Sequence, residues 1–396
     1  MDRVTTQSGA FVVKVAGHFN VMITAYNRQD KFGYYISGNL KFYRKLEAIE
    51  HELKTGDKFY WNFNDEIYSS YNWQIEPTES LEELYRQRAQ SLRDKYDYLV
   101  LYYSGGADSN NILQTCIKYN IRVDEIVSYI NYEATQDRFN FMNGEIFNVA
   151  AVKHKEAQVH QPWLKHRVID LCQHVIDYYK SPNIKFDWIY DMRSIYNPNC
   201  AVHQDMKLTV PEWREMFDAG KKVGFIFGCD KPRLKKENGN YYFYFVDLLD
   251  NAVSARVQSL DRPWEFNELF YWDPECPEIV IKQSHVLKRF IDNSNILGDD
   301  FTTDNQGLVK IDNKYFLKTA IIHSLIYPFW TPTPYQIKAD NLLYTPRDQW
   351  FFKARGYEIP RYAWEISLNK LLKIVPQKYK ATNGLAVFHS RGYCIN

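Results

Sequence analysis

The apolar positions of residues 81–255 fall into short continuous runs that alternate with longer segments of helical spacing. Short apolar runs are typical of buried strands, and apolar residues every three or four positions predict helices. The predicted strands are residues 98–103, 125–132, 188–190 and 222–227. The predicted helices are residues 81–92, 110–119, 143–155, 164–179 and 211–219. This alternation predicts an α/β fold with a parallel sheet and helices on both faces.

The segments on either side have different patterns. Residues 1–80 are predicted to form a small α+β unit, with a hairpin at 10–25, a helix at 41–53 and a strand at 59–63. The pair Asn238-Gly239 is a strong turn signal and predicts a hairpin over residues 234–248 at the sheet edge. A mostly helical region follows, with a helix at 279–292. We therefore expect three parts, residues 1–80, 81–255 and 256–396.

The overall composition argues against several classes of protein. The 396 residues include 49 basic and 48 acidic side chains, and this balance gives no general attraction to nucleic acid or membranes. The six cysteines include no C-x-x-C pair, which argues against a zinc site, an iron–sulfur cluster or a disulfide framework. The chain has no secretory signal pattern and no apolar run near the ~18 residues of a membrane span. We expect a cytoplasmic protein without a membrane partner, and leave nucleic acid and oligomeric state open.

The residues after the first predicted strand carry the clearest chemical signal. Ser104, Gly105 and Gly106 end the strand, and a helix-compatible segment follows. Two glycines allow a sharp turn that points N–H groups into one concavity, and the helix start adds partial positive charge. Such a loop suits phosphate, with Ser104 and Ser109 as hydroxyl donors. Asp108 would repel a bare phosphate, so its presence predicts Mg²⁺ between the carboxylate and the phosphates.

The motif S-G-G-x-D-S at residues 104–109 resembles the pyrophosphate loop of the N-type ATP pyrophosphatases, the superfamily of asparagine synthetase, GMP synthetase, NAD synthetase and tRNA-thiolating enzymes. It matches neither G-x-x-x-x-G-K-[ST] nor G-x-G-x-x-G. The resemblance is closest to the synthetase domain of asparagine synthetase and implies a Rossmann-like PP-loop fold, with ATP and Mg²⁺ as cofactors. The implied ATP contacts are Ser104, Gly105, Gly106, Ala107, Asp108 and Ser109. The alternative is an ordinary turn between a strand and a helix.

A second loop, starting at Gly228, follows the strand predicted at residues 222–227. Asparagine synthetase-like enzymes have a G-E-G-x-D-E loop at a similar separation, which closes over the phosphates and the metal. Gly228 and Asp230 match it in part, whereas Lys231 and Arg233 appear and two acids of the family pattern are missing. The resemblance implies that Asp108 and Asp230 hold metal and that Gly228 lies next to the phosphates. Lys231 and Arg233 depart from the family pattern, but their positive charges make them candidates to bind pyrophosphate or a substrate phosphate. Asp108, Asp230 and Lys231 are the candidate catalytic residues. The alternative is a solvated surface turn.

Other polar residues are weaker candidates. Four histidines have spacings of six, six and eight residues, which do not share one helix face, so we expect no metal site at His154, His160, His166 and His174. Glu145 is expected to cap the helix after the second strand. A polar helix face could contact an anionic acceptor, although a solvated amphipathic helix explains it more simply. Its members are Gln283, His285, Lys288 and Arg289.

The resemblance implies an ATP-dependent ligase or amidotransferase-like enzyme that adenylates an acceptor, releases pyrophosphate and then transfers an amine. Residue 2 is aspartate, so the cysteine nucleophile of a glutamine-using synthetase is missing, and residues 1–80 are too short for a glutaminase domain. The expected acceptor is a small molecule or a nucleotide. Two alternatives stay open: an enzyme that thiolates or aminates a nucleotide, tRNA or DNA base, and a non-catalytic nucleotide-binding protein that keeps the fold.

Overall fold

The structure is a computed structural model, and it describes residues 30–43, 45–130, 132–135, 138, 141–173, 210–228, 231–247, 265–294, 308–311, 314–332, 373, 375–381 and 384–396. The hairpin predicted at residues 10–25 and the strand predicted at residues 188–190 lie outside these residues.

The described residues form fifteen strands and ten α-helices. The strands are β1 (Tyr34–Ser37), β2 (Leu40–Phe42), β3 (Tyr60–Asn62), β4 (Tyr98–Tyr102), β5 (Glu125–Ile130), β6 (Lys165–Asp170), β7 (Val223–Phe227), β8 (Leu234–Glu237), β9 (Asn240–Phe243), β10 (Glu265–Leu269), β11 (Leu308–Ile311), β12 (Lys314–Leu317), β13 (Lys380–Ala381), β14 (Gly384–Leu385) and β15 (Tyr393–Cys394). The helices are α1 (Lys45–Thr55), α2 (Asp65–Tyr68), α3 (Leu81–Lys95), α4 (Ala107–Lys118), α5 (Tyr132–Thr135), α6 (Phe141–Glu145), α7 (Ala151–His160), α8 (Pro211–Asp218), α9 (Glu278–Asn293) and α10 (Lys318–Ile326). A π-helix (Ile146–Ala150) joins α6 to α7, and a 3₁₀-helix (Gln377–Tyr379) precedes β13.

The N-terminal part is a small α+β unit, as predicted. Strands β1, β2 and β3 form an antiparallel sheet in the order β2-β1-β3. Tyr35 and Trp61 lie opposite each other in β1 and β3, and both are buried. Leu46 and Ile49 of α1 belong to the same buried cluster, so the helix covers the apolar side of this sheet.

The central sheet has five parallel strands in the order β10-β7-β4-β5-β6. The first of these strands in the chain, β4, is therefore in the middle, with the next two on one side and the last two on the other. Ligands of such sheets bind beyond the carboxyl ends of the strands, where the strand order reverses. Here that position lies between β4 and β7. The predicted α/β fold with a parallel sheet is confirmed.

Helices cover both faces of this sheet. Trp213 of α8 packs in one cluster with Val100 of β4. Leu101, the next residue of β4, points to the opposite face and belongs to a cluster with Leu92 of α3 and Ile112 of α4. Because β4 is buried on both faces, its sequence is a continuous apolar run.

The helix predicted at residues 164–179 is wrong over residues 165–170, and its residues 174–179 lie outside the described residues. Within residues 164–179, the segment Lys165–Asp170 is strand β6 and pairs in parallel with β5. This strand is the last one of the described sheet on that side, and its side chains are exposed or half-buried. The strand therefore tolerates polar side chains at Lys165, His166 and Arg167. These residues interrupt the apolar run by which a buried strand is identified. The apolar residues at 164, 168 and 171 keep helical spacing, which explains the error.

Strands β8 and β9 form the predicted hairpin, but not at the edge of the central sheet. Asn238 and Gly239 have φ of +50° and +83°, as a two-residue hairpin turn requires. The hairpin pairs with β15 in a separate antiparallel sheet. The expectation that it extends the central sheet is corrected by this pairing.

The region beyond residue 256 contains both helices and strands in its described part. Helix α9 matches the helix predicted at residues 279–292. Strand β10 pairs with β7, so the central sheet continues into this region. The division of the chain at residues 80 and 255 stays a prediction. Among the helices that the structure describes, none has the length and apolar character needed to cross a lipid bilayer.

A buried network of charges joins the N-terminal unit, α3 and the residues around β10. Arg88 is fully buried, and its guanidinium lies 2.6 Å from Asp273 and 3.1 Å from Glu268. Lys31 pairs with the same two acids, at 2.6 Å from Asp273. Burial opposes the charged form of Glu268, but Lys31, Arg88 and Lys95 outweigh it and hold its pKa well below the usual value. We call Lys31, Arg88, Glu268 and Asp273 the Arg88 network.

Candidate functional site

The loop after β4 folds back on itself before it starts α4. Gly105 has φ of +80°, a conformation that favours glycine, and Gly106 precedes the first helical residue in an extended conformation. The Oγ of Ser104 accepts a hydrogen bond from the N–H of Gly106 at 3.1 Å, and the Oγ of Ser109 accepts one from the N–H of Ser104 at 3.3 Å. The two serines thus shape the loop. Helix α4 begins at Ala107, earlier than predicted.

The loop packs directly on the π-helix. A Cβ atom on Gly105 would lie 2.8 Å from the backbone nitrogen of Ala150, and one on Gly106 would lie 3.2 Å from Oε1 of Glu145. Lys153 donates a hydrogen bond to the carbonyl oxygen of Gly105 at 3.2 Å. Gly105 is therefore needed for the turn and for the close approach to the π-helix, whereas a side chain at Gly106 would crowd Glu145. Glu145, expected only as a cap, is buried next to the loop.

Asp108, in the first turn of α4, is held by side chains from two distant segments. Its Oδ2 lies 2.9 Å from Nζ of Lys231, and its Oδ1 accepts a hydrogen bond of 2.6 Å from the hydroxyl of Tyr327. Nε2 of His323 is 3.8 Å from Oδ1. Burial would raise the pKa of Asp108, but Lys231, His323 and Tyr327 outweigh it and lower the pKa to about 2. The carboxylate is therefore charged at neutral pH.

The second loop lies against the first. A Cβ atom on Gly228 would be 3.1 Å from the carbonyl carbon of Asp108 and 3.1 Å from the backbone nitrogen of Ser109. Since Lys231 also pairs with Asp108, the structure brings two of the four predicted residues of this loop to the first loop. Arg233 is half-buried before β8, and its carbonyl oxygen accepts a hydrogen bond from the N–H of Tyr244 at 3.2 Å. Asp230 lies outside the described residues, so its predicted role as a metal ligand stays a prediction.

Three residues of this site were not predicted. Tyr271 follows β10 and donates to the backbone oxygen of Asp108 at 2.9 Å, while His323 and Tyr327 lie in and just after α10. The ring of Tyr327 lies 5.3 Å from that of Tyr271 and 5.4 Å from that of His323. Burial and the charge of Asp108 raise the pKa of Tyr327, so its hydroxyl keeps the proton that it donates. The only sequence signal for this cluster is the high aromatic content of the chain.

The weaker candidates have other surroundings. His154 and His166 come together, with ring centres 5.1 Å apart, because His166 lies on a strand and not on the predicted helix. Burial, helped by His154, lowers the pKa of His166 to about 4. Among the residues that the structure describes, no three His, Cys, Asp or Glu side chains lie close enough together to hold a metal ion. Gln283 is buried and donates to the hydroxyl of Tyr85, so it does not belong to a solvated helix face.

The arrangement fits a phosphate with a magnesium ion. The first N–H groups of α4, at Ala107, Asp108 and Ser109, have no acceptor within the helix. Asp108 offers the hard carboxylate oxygen that Mg²⁺ prefers, and Mg²⁺ is commonly held by one or two carboxylates together with phosphate oxygens. A comparison of the chain with models of known protein families and with curated proteins found no match.

Proposed function

We propose that this protein is an ATP-binding enzyme of the N-type ATP pyrophosphatase superfamily, which adenylates an acceptor and releases pyrophosphate. The observation that carries the proposal is the place of the S-G-G-x-D-S loop. It starts α4 where the strand order reverses, and Gly228 and Lys231 lie against it. A helix N-terminus and the carboxyl ends of two adjacent strands converge at this place, which is where α/β sheets bind phosphate groups.

Each residue of the two loops has a role in this proposal. The N–H groups at the start of α4 bind phosphate oxygens, and the glycines let the backbone approach them. Asp108 holds Mg²⁺, which supplies positive charge for the leaving pyrophosphate when it is bound. Lys231 is near enough to Asp108 to turn from the carboxylate to a phosphate oxygen. The sequence adds Asp230 as a second metal ligand and Arg233 as a phosphate ligand.

In the proposed reaction, ATP is cleaved between its α and β phosphates. An oxygen of the acceptor attacks the α-phosphorus, and the bond between this phosphorus and the bridging oxygen breaks, so pyrophosphate leaves with the electron pair. An amine then attacks the carbon that is bonded to the adenylated oxygen. The bond between this carbon and the oxygen breaks, AMP leaves with the electron pair, and the amine loses a proton.

The test is to incubate the purified protein with ATP, Mg²⁺ and candidate acceptors and to separate the products. We expect AMP and pyrophosphate, while ADP and phosphate as the only products would overturn the proposal. Asp108→Asn keeps the shape of the side chain and removes its charge, so turnover should fall more than ATP affinity. Asp94→Asn, at an exposed position of α3, is the control and should behave like the unvaried protein.

A second candidate is a nucleotide-binding protein without turnover. The ion pair between Lys231 and Asp108 favours it, because a cation of the chain occupies one oxygen of the carboxylate. In this case ATP binds with an affinity that does not depend on Mg²⁺, and no AMP forms with any acceptor. Calorimetry of ATP binding with Mg²⁺ and with EDTA separates the two candidates.

A further inference from the structure

The two oxygens of the Asp108 carboxylate have different surroundings. Oδ1 accepts a hydrogen bond of 2.6 Å from Tyr327, which is 2% exposed. Oδ2 is paired with Lys231, whose side chain is 25% exposed. A partly exposed ammonium group on a flexible side chain can move away, whereas a buried tyrosine hydroxyl cannot. Oδ1 is therefore the fixed oxygen and Oδ2 the exchangeable one.

The hydroxyl of Tyr327 is fixed by the packing of its own segment. The N–H of Tyr327 donates to the carbonyl oxygen of His323 at 2.9 Å, which continues the helical turn beyond α10. The neighbouring carbonyl oxygen, of Ile326, accepts a hydrogen bond of 2.8 Å from Tyr85 of α3. The ring lies between those of Tyr271 and His323. From this position the hydroxyl donates to Oδ1 of Asp108.

We propose that Tyr327 is a positioning residue, which holds Oδ1 of Asp108 so that Oδ2 is presented to a divalent cation when Lys231 moves away. This role rests on the proposed function, in which Asp108 is a magnesium ligand. Hydrogen bonds from a neutral hydroxyl to a carboxylate are short and strong, and they fix the orientation of the acceptor. Carboxylates that bind metals are commonly oriented by such hydrogen bonds, and loss of one weakens metal binding about 10- to 100-fold.

The test compares Tyr327→Phe with Tyr35→Phe. Each variant loses one buried tyrosine hydroxyl that donates to a carboxylate, but the acceptor of Tyr35 is Asp247 and not Asp108. ATP affinity is measured by calorimetry with Mg²⁺ and with EDTA, and Mn²⁺ affinity by electron paramagnetic resonance with a non-hydrolysable ATP analogue. Thermal unfolding of both variants is recorded alongside.

For Tyr327→Phe we expect ATP affinity in EDTA to be unchanged and Mn²⁺ affinity to fall about tenfold. Tyr35→Phe should keep the Mn²⁺ affinity of the unvaried protein although its unfolding temperature falls. Unchanged Mn²⁺ affinity in Tyr327→Phe, or an equal loss in both variants, would overturn the positioning role. If the unvaried protein itself binds ATP without any effect of Mg²⁺, the proposed function fails, and this result is separate from any comparison of variants.

A second measurement keeps the hydroxyl in place, in case Tyr327→Phe does not fold. Tyrosine labelled with fluorine next to the hydroxyl is introduced at position 327 alone, and its ¹⁹F resonance is followed during titration with ATP. A shift with Mg²⁺ that is absent with EDTA supports the positioning role. A resonance that is the same under both conditions contradicts it.

Discussion

Two groups of carboxylates in this protein are held by residues that are far apart in the sequence, and they differ in their access to solvent. In the Arg88 network, Arg88 and Asp273 are fully buried and Glu268 is 2% exposed. At the candidate site, the side chain of Asp108 is 28% exposed and has one cation, Lys231, on its exchangeable oxygen. In both groups cations hold the pKa of an acid below its usual value. A lowered pKa alone therefore does not distinguish a functional acid from a structural one.

The two groups differ in whether water or another cation can replace the cation that pairs with each carboxylate. Of the four residues of the Arg88 network, Lys31 alone is partly exposed, at 15%, so removing one partner leaves a poorly compensated charge in the interior. At Asp108, water or another cation can take the place of Lys231 without unfolding the protein. Substitutions in the Arg88 network should therefore change stability, and substitutions at the loops should change binding.

The largest effect is expected for Arg88→Met, which leaves Glu268 and Asp273 with Lys31 as their main buried cation. Breaking a buried ion pair in this way costs about 3–5 kcal/mol of unfolding free energy. The measurement is urea unfolding, with Arg86→Met on the same helix as control because Arg86 makes an exposed pair with Glu83. If the two variants are equally stable, the view of the Arg88 network as a structural core is wrong.

An intermediate effect is expected for Gly105→Ala, and the loss should appear in ATP binding. A positive φ costs an alanine roughly 1–2 kcal/mol, and the new methyl group would also meet the backbone of Ala150. Gly220→Ala is the matched control, since Gly220 has φ of +72° and no atom near its Cβ position. A loop displaced at a cost of about 1.4 kcal/mol binds ATP about tenfold more weakly. Equal ATP affinities of the two variants would contradict a phosphate-binding role for this loop.

The smallest effect is the dependence of stability on pH. Because the pKa of Glu268 is lower in the folded protein than in the unfolded chain, its stabilisation is complete above the usual value of about 4.3. The stabilisation is lost as the pH falls below that value toward the folded pKa. Unfolding free energy measured from pH 6 to pH 3 should therefore depend less on pH in Glu268→Gln than in Glu79→Gln, a variant at an exposed position. Identical pH dependence in both variants would contradict a lowered pKa of Glu268 in the folded protein.

The sequence predicted the part of the site whose residues are close together in the chain. Strand β4 is buried on both faces, so its apolar run is continuous, and the glycines of the loop follow it directly. The prediction failed for β6, where exposure to solvent allows Lys165, His166 and Arg167 and removes the strand pattern. Burial on both faces thus leaves a signal in sequence that a strand at the sheet edge lacks.

The contacts of Asp108 show a second limit of prediction from sequence, which concerns residues far apart in the chain. Lys231 was expected near the first loop because it follows a strand of the same sheet, and parallel strands end at the same edge. Tyr327 is 219 residues from Asp108 in the sequence, and its segment has no motif that points to the loop. Such a contact depends on how α10 packs on the rest of the protein, and neither periodicity nor turn residues encode it.

The separation of these residues along the chain has a consequence for folding. Pairing of β4 with β7 closes a long stretch of chain, and contacts between distant residues form late because their closure entropy is high. The S-G-G-x-D-S loop can form while the first two strands are being synthesised, but Asp108 gains Lys231 only after β7 has paired. It gains Tyr327 later still, after α10 has docked. If the site binds ATP as proposed, the part of the ATP affinity that depends on Mg²⁺ should therefore appear in the last steps of refolding and not in the first.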